Sequence, residues 1–91
     1  MLDSGIREKV ATLVKSGVET FESCQGGAGH CFAEPTIRFH GGTSEGFRAL
    51  SVAMGAGLKV LSLRRYWSIN GDEPTGPHWE MTFLPDTPRE C

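Results

Sequence analysis

Between Glu22 and His40 the chain gathers the residue types that carry chemistry. Cys24, His30, Cys31 and His40 are ligand or nucleophile–base types, Glu22 and Glu34 are carboxylates, and Gly26, Gly27 and Gly29 free the backbone. Four thiols and imidazoles would suffice for zinc. The six residues between Cys24 and Cys31 do not match a zinc finger, which uses closely spaced cysteine knuckles and paired histidines. A thiolate beside an imidazole would be a nucleophile, and two carboxylates an acid and base, but nothing in the spacing makes these groups meet. Cys24 equally reads as a small buried residue. We therefore assign no catalytic residue, no metal and no cofactor. Gly26-Gly27-Ala28-Gly29 can turn several backbone N–H groups toward an anion. It lacks the Lys-Ser/Thr ending of a phosphate loop and the spacing of a dinucleotide fingerprint. A tight turn explains the same glycines, since glycine accepts positive φ.

The elements that position this stretch follow from hydrophobic period. Ser4 is the expected cap of a helix to about Ser16, with Ile6, Val10, Leu13 and Val14 on one stripe and Gly17 as its stop. Val18–Cys24 reads as a strand. Glu34-Pro35 restarts the chain in extended form, and Thr36–His40 alternates, Ile37 and Phe39 opposing Thr36, Arg38 and His40. After Gly41-Gly42, Thr43 or Ser44 caps a second helix ending near Gly55, its buried stripe Phe47, Leu50, Ser51, Met54 and Leu58. Lys59–Ile69 is the third strand, with Leu61, Leu63, Trp67 and Ile69 on one face. Arg65 interrupts that face and is assigned to a bulge, internal pairing or stacking on Trp67 or Trp79 being the alternatives. Asn70-Gly71-Asp72 marks a hairpin, and Pro74-Thr75-Gly76-Pro77 is expected to lengthen its loop. His78–Leu84 returns with Trp79, Met81 and Phe83 inward. The expected fold is α+β, two helices on one face of a mostly antiparallel four-stranded sheet in the order αββαββ. It forms a single domain over residues 1–85, with a frayed tail over 86–91. Strand order does not follow from the sequence.

If the helices cover Phe21, Ile37, Phe39, Leu61, Leu63, Trp79, Met81 and Phe83, the other face shows Thr20, Glu22, Arg38, His40, Arg64, Tyr66, His78 and Glu80. A slip of a single residue would reverse the two faces. Arginine forks suit a phosphate or carboxylate, and Tyr66 can stack on a ring. The bland reading is a solvated face whose opposite charges pair across strands. The candidate ligand site joins Ser23, Cys24, Gly26, Gly27, His30 and Glu34 of the loop to Arg38, His40, Arg64, Tyr66 and His78 of the face. Its expected ligand is an anionic, nucleotide-like small molecule.

Composition narrows the partners. With nine Lys+Arg against eleven Asp+Glu the net charge is −2, which argues against a duplex nucleic-acid binder. No apolar run is long enough for a membrane helix. The N-terminus MLDSGIREKV has no apolar signal core, and three cysteines are an odd number, so a reduced, cytoplasmic protein is the expectation. With 91 residues the core is small, and a deep pocket would come most readily from a homodimer.

The string VETFESC, continuing as x-G-G-x-G-H-x-F-x-E-P-T-x-R-F-x-G, resembles a group of small proteins from bacteria and their phages. Gly46-Phe47-Arg48-Ala49-Leu50 and Gly71-Asp72-Glu73-Pro74-Thr75-Gly76-Pro77, followed by Trp79 to Phe83, extend the likeness, which covers about Gly17 to Phe83. The resemblance carries no activity with it. More distantly, Ser23-Cys24-x-Gly26 and Glu34-Pro35 leading into a strand resemble the wybutosine-synthesis tRNA methyltransferase family. Gly27 stands where that family has arginine and the chain is much shorter, so the likeness implies a shared fold and not methyl transfer. The phage association suggests a host immune signal as ligand and a protein that sequesters it. The alternatives are a protein inhibitor of a host defence complex, of the anti-CRISPR kind, acting through Tyr66 and Trp67, and a nucleotide- or RNA-modifying enzyme using Cys24, His30 or His40.

Overall fold

The structure, a computed structural model, describes residues 4–27, 29 and 34–84. The expectations for His30, Cys31 and the tail over 86–91 lie outside the described residues. The elements run α1 (Ser4–Lys15), β1 (Thr20–Cys24), β2 (Thr36–Phe39), α2 (Thr43–Gly55), β3 (Val60–Asn70) and β4 (Glu73–Phe83). The four strands form one sheet in the order β1-β2-β4-β3, every neighbouring pair antiparallel. The αββαββ fold expected from the sequence is thus the one observed. Among the described residues, no helix is long and apolar enough to cross a membrane.

Both helices end by the same device. At α1 the Val18 N–H donates to the Leu13 carbonyl and the Gly17 N–H to that of Val14. At α2 the Leu58 and Gly57 N–H groups repeat this on Ala53 and Met54. Gly17 and Gly57 take φ of 87° and 82°, so each end is a Schellman motif whose following apolar residue turns back onto the core. At its start α2 departs from expectation. Gly42 is its cap residue, without a side-chain bond, while the Thr43 hydroxyl accepts a bond of 2.7 Å from Arg65.

Ile6 and Leu13 of α1, Ala49 and Ala53 of α2, and Ile37, Phe39, Trp79, Met81 and Phe83 of the sheet form the buried core. The expected stripe of α2 is corrected by the structure. Gly46, Ala49 and Ala53 face inward, whereas Phe47 and Met54 are exposed. The reason is close approach: a Cβ on Gly46 would lie 2.3 Å from atoms of the Trp79 ring. Small residues let the helix sit directly on that indole, whose Nε1 donates to the Gly42 carbonyl at 2.9 Å.

Irregularities in the ladders change which residues share a face. In β1, Thr20 pairs with Phe39 and Glu22 with Arg38, leaving Phe21 as an extra residue. Phe21 therefore leaves the helix-covered face, where alternation had placed it, and Thr20 takes its side. In β3, Val60 pairs with Phe83 and Ser62 with Thr82, so Leu61 is extra and exposed rather than buried. Arg65 needs no bulge. It stays in alternation opposite Trp79, its guanidinium 5.0 Å from that ring centroid. A further shift falls beyond it, where Gly76 and Pro77 together oppose Trp67.

The β3–β4 turn is tighter than expected. Only Gly71 and Asp72 separate the strands, with φ of 54° and 71°, the positive pair of a type I′ hairpin. Pro74 and Pro77 sit within β4 instead of lengthening the loop. They are tolerated because β2 pairs only with Trp79 to Thr82, which leaves the first half of β4 without a neighbour on that side.

Candidate functional site

On the face away from the helices, the registers align the outward residues of all four strands in three rows. Nearest the glycine loop are Cys24, Thr36, Thr82 and Ser62. The middle row is Glu22, Arg38, Glu80 and Arg64, and the last is Phe21, His40, His78 and Tyr66. Seven of the residues expected on this face therefore do meet there: Glu22, Arg38, His40, Arg64, Tyr66, His78 and Glu80.

The middle row is a ladder of alternating charge. Arg38 donates through Nη1 to Glu22 at 3.0 Å and through Nε to Glu80 at 3.0 Å, and Nη2 lies 2.9 Å from the same Glu80 oxygen. The other Glu80 oxygen is 3.2 Å from Arg64 Nε. Burial disfavours the Arg38 charge, but the Glu80 hydrogen bond, followed by Tyr66 and Glu22, outweighs it and raises its pKa. A guanidinium held by two carboxylates offers little to an incoming anion. Arg64 differs, because its side chain is 66% exposed and its ion pair with Glu80 is made through Nε. The row as a whole is neutral, two arginines against two glutamates.

The last row is a line of rings. Phe21 stacks on His40 with centroids 4.4 Å apart and interplanar angle 26°. His78 lies 5.2 Å from Phe21, 5.4 Å from His40 and 5.5 Å from Tyr66. Arg38 places its guanidinium 4.6 Å from the Tyr66 centroid, tying this row to the ladder. Partial burial raises the Tyr66 pKa; Arg38 opposes the shift, and Glu22 and Glu80 add to it. Among the described residues, the buried Nδ1 of His78 has no hydrogen-bond partner. Phe21 is the member that sequence reasoning misplaced. A signal existed, since buried Val18 and Phe21 lie an odd number of residues apart and strict alternation cannot put both inside.

The loop half of the expected site lies elsewhere. Thr36 opens β2 and His40 directly follows its last residue, four residues on and roughly 13 Å away at about 3.3 Å per residue, so Cys24 and the glycines stand well away from the rings. That separation also keeps Cys24 and His40 from sharing one ion, and among the described residues no three potential ligands cluster. Ser23 pairs with Ile37 and points to the helix side. The Gly26 N–H is engaged by Cys24 Sγ at 3.5 Å. A Cβ on Gly26 would meet the Glu34 carbonyl carbon at 2.4 Å. This glycine closes the neck of the loop. Glu34 supports the same neck, its carbonyl accepting from the Thr36 hydroxyl at 2.8 Å. Gly27, with φ 105°, continues the turn.

A shallow groove of about 600 Å³ runs between the helices, lined by Glu8, Thr12, Lys15, Ser51 and Val52 among others. It is a seam between two helix surfaces, on the opposite side of the molecule from the rings. The chain matches no family model, and neither curated proteins nor solved structures give a match.

Proposed function

We propose that the uncovered sheet face is a holding site for a nucleotide-like small molecule, its base on the ring row and its anionic group on Arg64. The observation that carries this reading is the row itself. Four rings from three strands and a bulge meet on a surface that neither helix covers, and Phe21 remains 43% exposed at its outer end. Aromatic faces bind bases through stacking, at about 1–3 kcal/mol per base. Arg64, adjoining Tyr66 on the same face, brings a largely exposed fork for phosphate oxygens.

Compared with the expectation from sequence, the proposed site contracts to Phe21, His40, Arg64, Tyr66 and His78. Arg38 acts as its frame, and the glycine loop is left out. A protein that holds such a ligand without turning it over sequesters it. The further suggestion that the ligand is a host immune signal rests on the phage-protein resemblance alone. The test is isothermal titration of the protein with mono-, di- and cyclic nucleotides, preceded by native mass spectrometry of gently purified material. Phe21→Ala and Arg64→Ala are each expected to weaken the best-bound nucleotide tenfold or more, about 1.4 kcal/mol, while leaving the fold intact. Wild-type affinity in both variants would refute this placement.

A further inference from the structure

We infer that two copies of this chain pair antiparallel through the free edge of β3, with a two-fold axis at Arg65, and so join their sheets into one of eight strands. Among the described residues, β3 has β4 on one side and no strand on the other. It runs eleven residues, and along it Leu61, Trp67 and Ile69 are 51, 57 and 67% exposed. An edge of this length and polarity is a template for a further strand.

The occupant is indicated by the strand's own sequence. Around Arg65, the segment Leu61 to Ile69 is chemically palindromic. A two-fold axis there sets Leu61 opposite Ile69 of the second copy, Ser62 opposite Ser68, Leu63 opposite Trp67 and Arg64 opposite Tyr66. Every exposed apolar residue of the edge then meets an apolar partner, serine meets serine, and a cation meets an aromatic ring. Moving the axis to Arg64 would set Ile69 opposite Lys59, and moving it to Tyr66 would set Trp67 opposite Arg65. Arg65 would face its own copy, but its charge is drawn away from the edge. Its guanidinium lies over Trp79 of β4 and bonds Thr43 of α2. Nine paired positions supply on the order of eight to ten inter-chain backbone hydrogen bonds, the number found in a typical specific interface.

The pairing also bears on the ring row. Arg64 and Tyr66 point to the same face as His78 and His40, so Arg64 of each copy would stand directly beside Tyr66 of the other. Each candidate site would then be completed by a cation from the second copy. This last step rests on the proposed ligand reading, whereas the pairing itself does not.

Sedimentation equilibrium of the full chain without ligand, from micromolar to millimolar concentration, measures the pairing. A dimer is expected, and Trp67→Glu and Ile69→Lys should each raise its dissociation constant roughly thirtyfold or more, as for an interface hot spot. Both side chains are exposed, so circular dichroism of the dilute variants should match wild type. Isotope-filtered NOEs between labelled and unlabelled chains should connect Leu63 with Trp67 and Arg64 with Tyr66. A chain that stays monomeric at millimolar concentration overturns the inference. So does a dimer that both variants leave intact, or one lacking those NOEs. Any of these results leaves the ligand reading to be judged by its own titration.

Discussion

The helix-covered face and the uncovered face of the sheet are built from the same strands, residue by alternate residue, yet they exclude water by different means. Under the helices, Ile37, Phe39, Met81 and Phe83 are wholly buried by residues from another layer, down to the close seat of Gly46 on Trp79. On the other side neither helix reaches, and burial comes from lateral neighbours. Glu80 is only 7% exposed because Arg38 and Arg64 close over it from either side. Ser62 and Thr82 hydrogen-bond across β3 and β4 in the same manner. A layered core tolerates little change of volume, while a lateral network tolerates change of shape but not loss of a partner.

That contrast can be broken most forcefully from the helix side. Phe39→Ala should cost about 3–5 kcal/mol, a large share of the stability of a small domain, and would appear as a collapse of the urea midpoint. Gly46→Ala tests the seat of α2. Despite the better helix propensity of alanine, it should destabilise by about 1–3 kcal/mol, because the added carbon forces helix and Trp79 apart. On the uncovered face, Glu80→Gln should cost about 1–3 kcal/mol, since it leaves the partly buried Arg38 with one carboxylate. Glu22→Gln, losing a single exposed pair, should cost less than about 1 kcal/mol. Equal losses in these two variants would mean that lateral burial contributes nothing.

The smallest effect is a titration. Tyr66 is the only tyrosine, so tyrosinate absorbance reports it directly. It should ionise above its ordinary value, and Arg38→Gln should move it further up by removing the charge that opposes the shift. For an acid whose folded pKa is raised, the linked stability is complete below the unfolded pKa and is lost as pH rises through the folded one. The chain should therefore lose stability on the alkaline side of the tyrosine range. Ionisation at or below the ordinary value would show that the hydroxyl is not shielded by the row.

Much of this organisation was legible in the residues. Alternation in Thr36–His40 and His78–Leu84 assigned Arg38, His40, His78 and Glu80 to one face and Ile37, Phe39, Trp79, Met81 and Phe83 to the other. The misreadings cluster where the period slips. Phe21 changed faces and Leu61 came to be exposed because each is the extra residue of a bulge, and a bulge depends on the partner strand's register. The stripe of α2 was misread because Phe47 and Met54 outweigh Gly46, Ala49 and Ala53 in any hydrophobic count. Close packing on an indole favours the smaller set. The glycine loop attracted attention for its composition, yet Gly26 is accounted for by the closing of a neck.

Local periodicity, turn chemistry and helix-stop glycines depend on neighbours in the chain, and for that reason they specified the six elements, their order and most of the inward and outward assignments. Strand order, the three rows and the free edge of β3 depend on residues far apart in sequence. Only their pairing in space put β4 in the middle of the sheet, set Glu80 between two arginines, and gathered Phe21, His40, His78 and Tyr66 into one line.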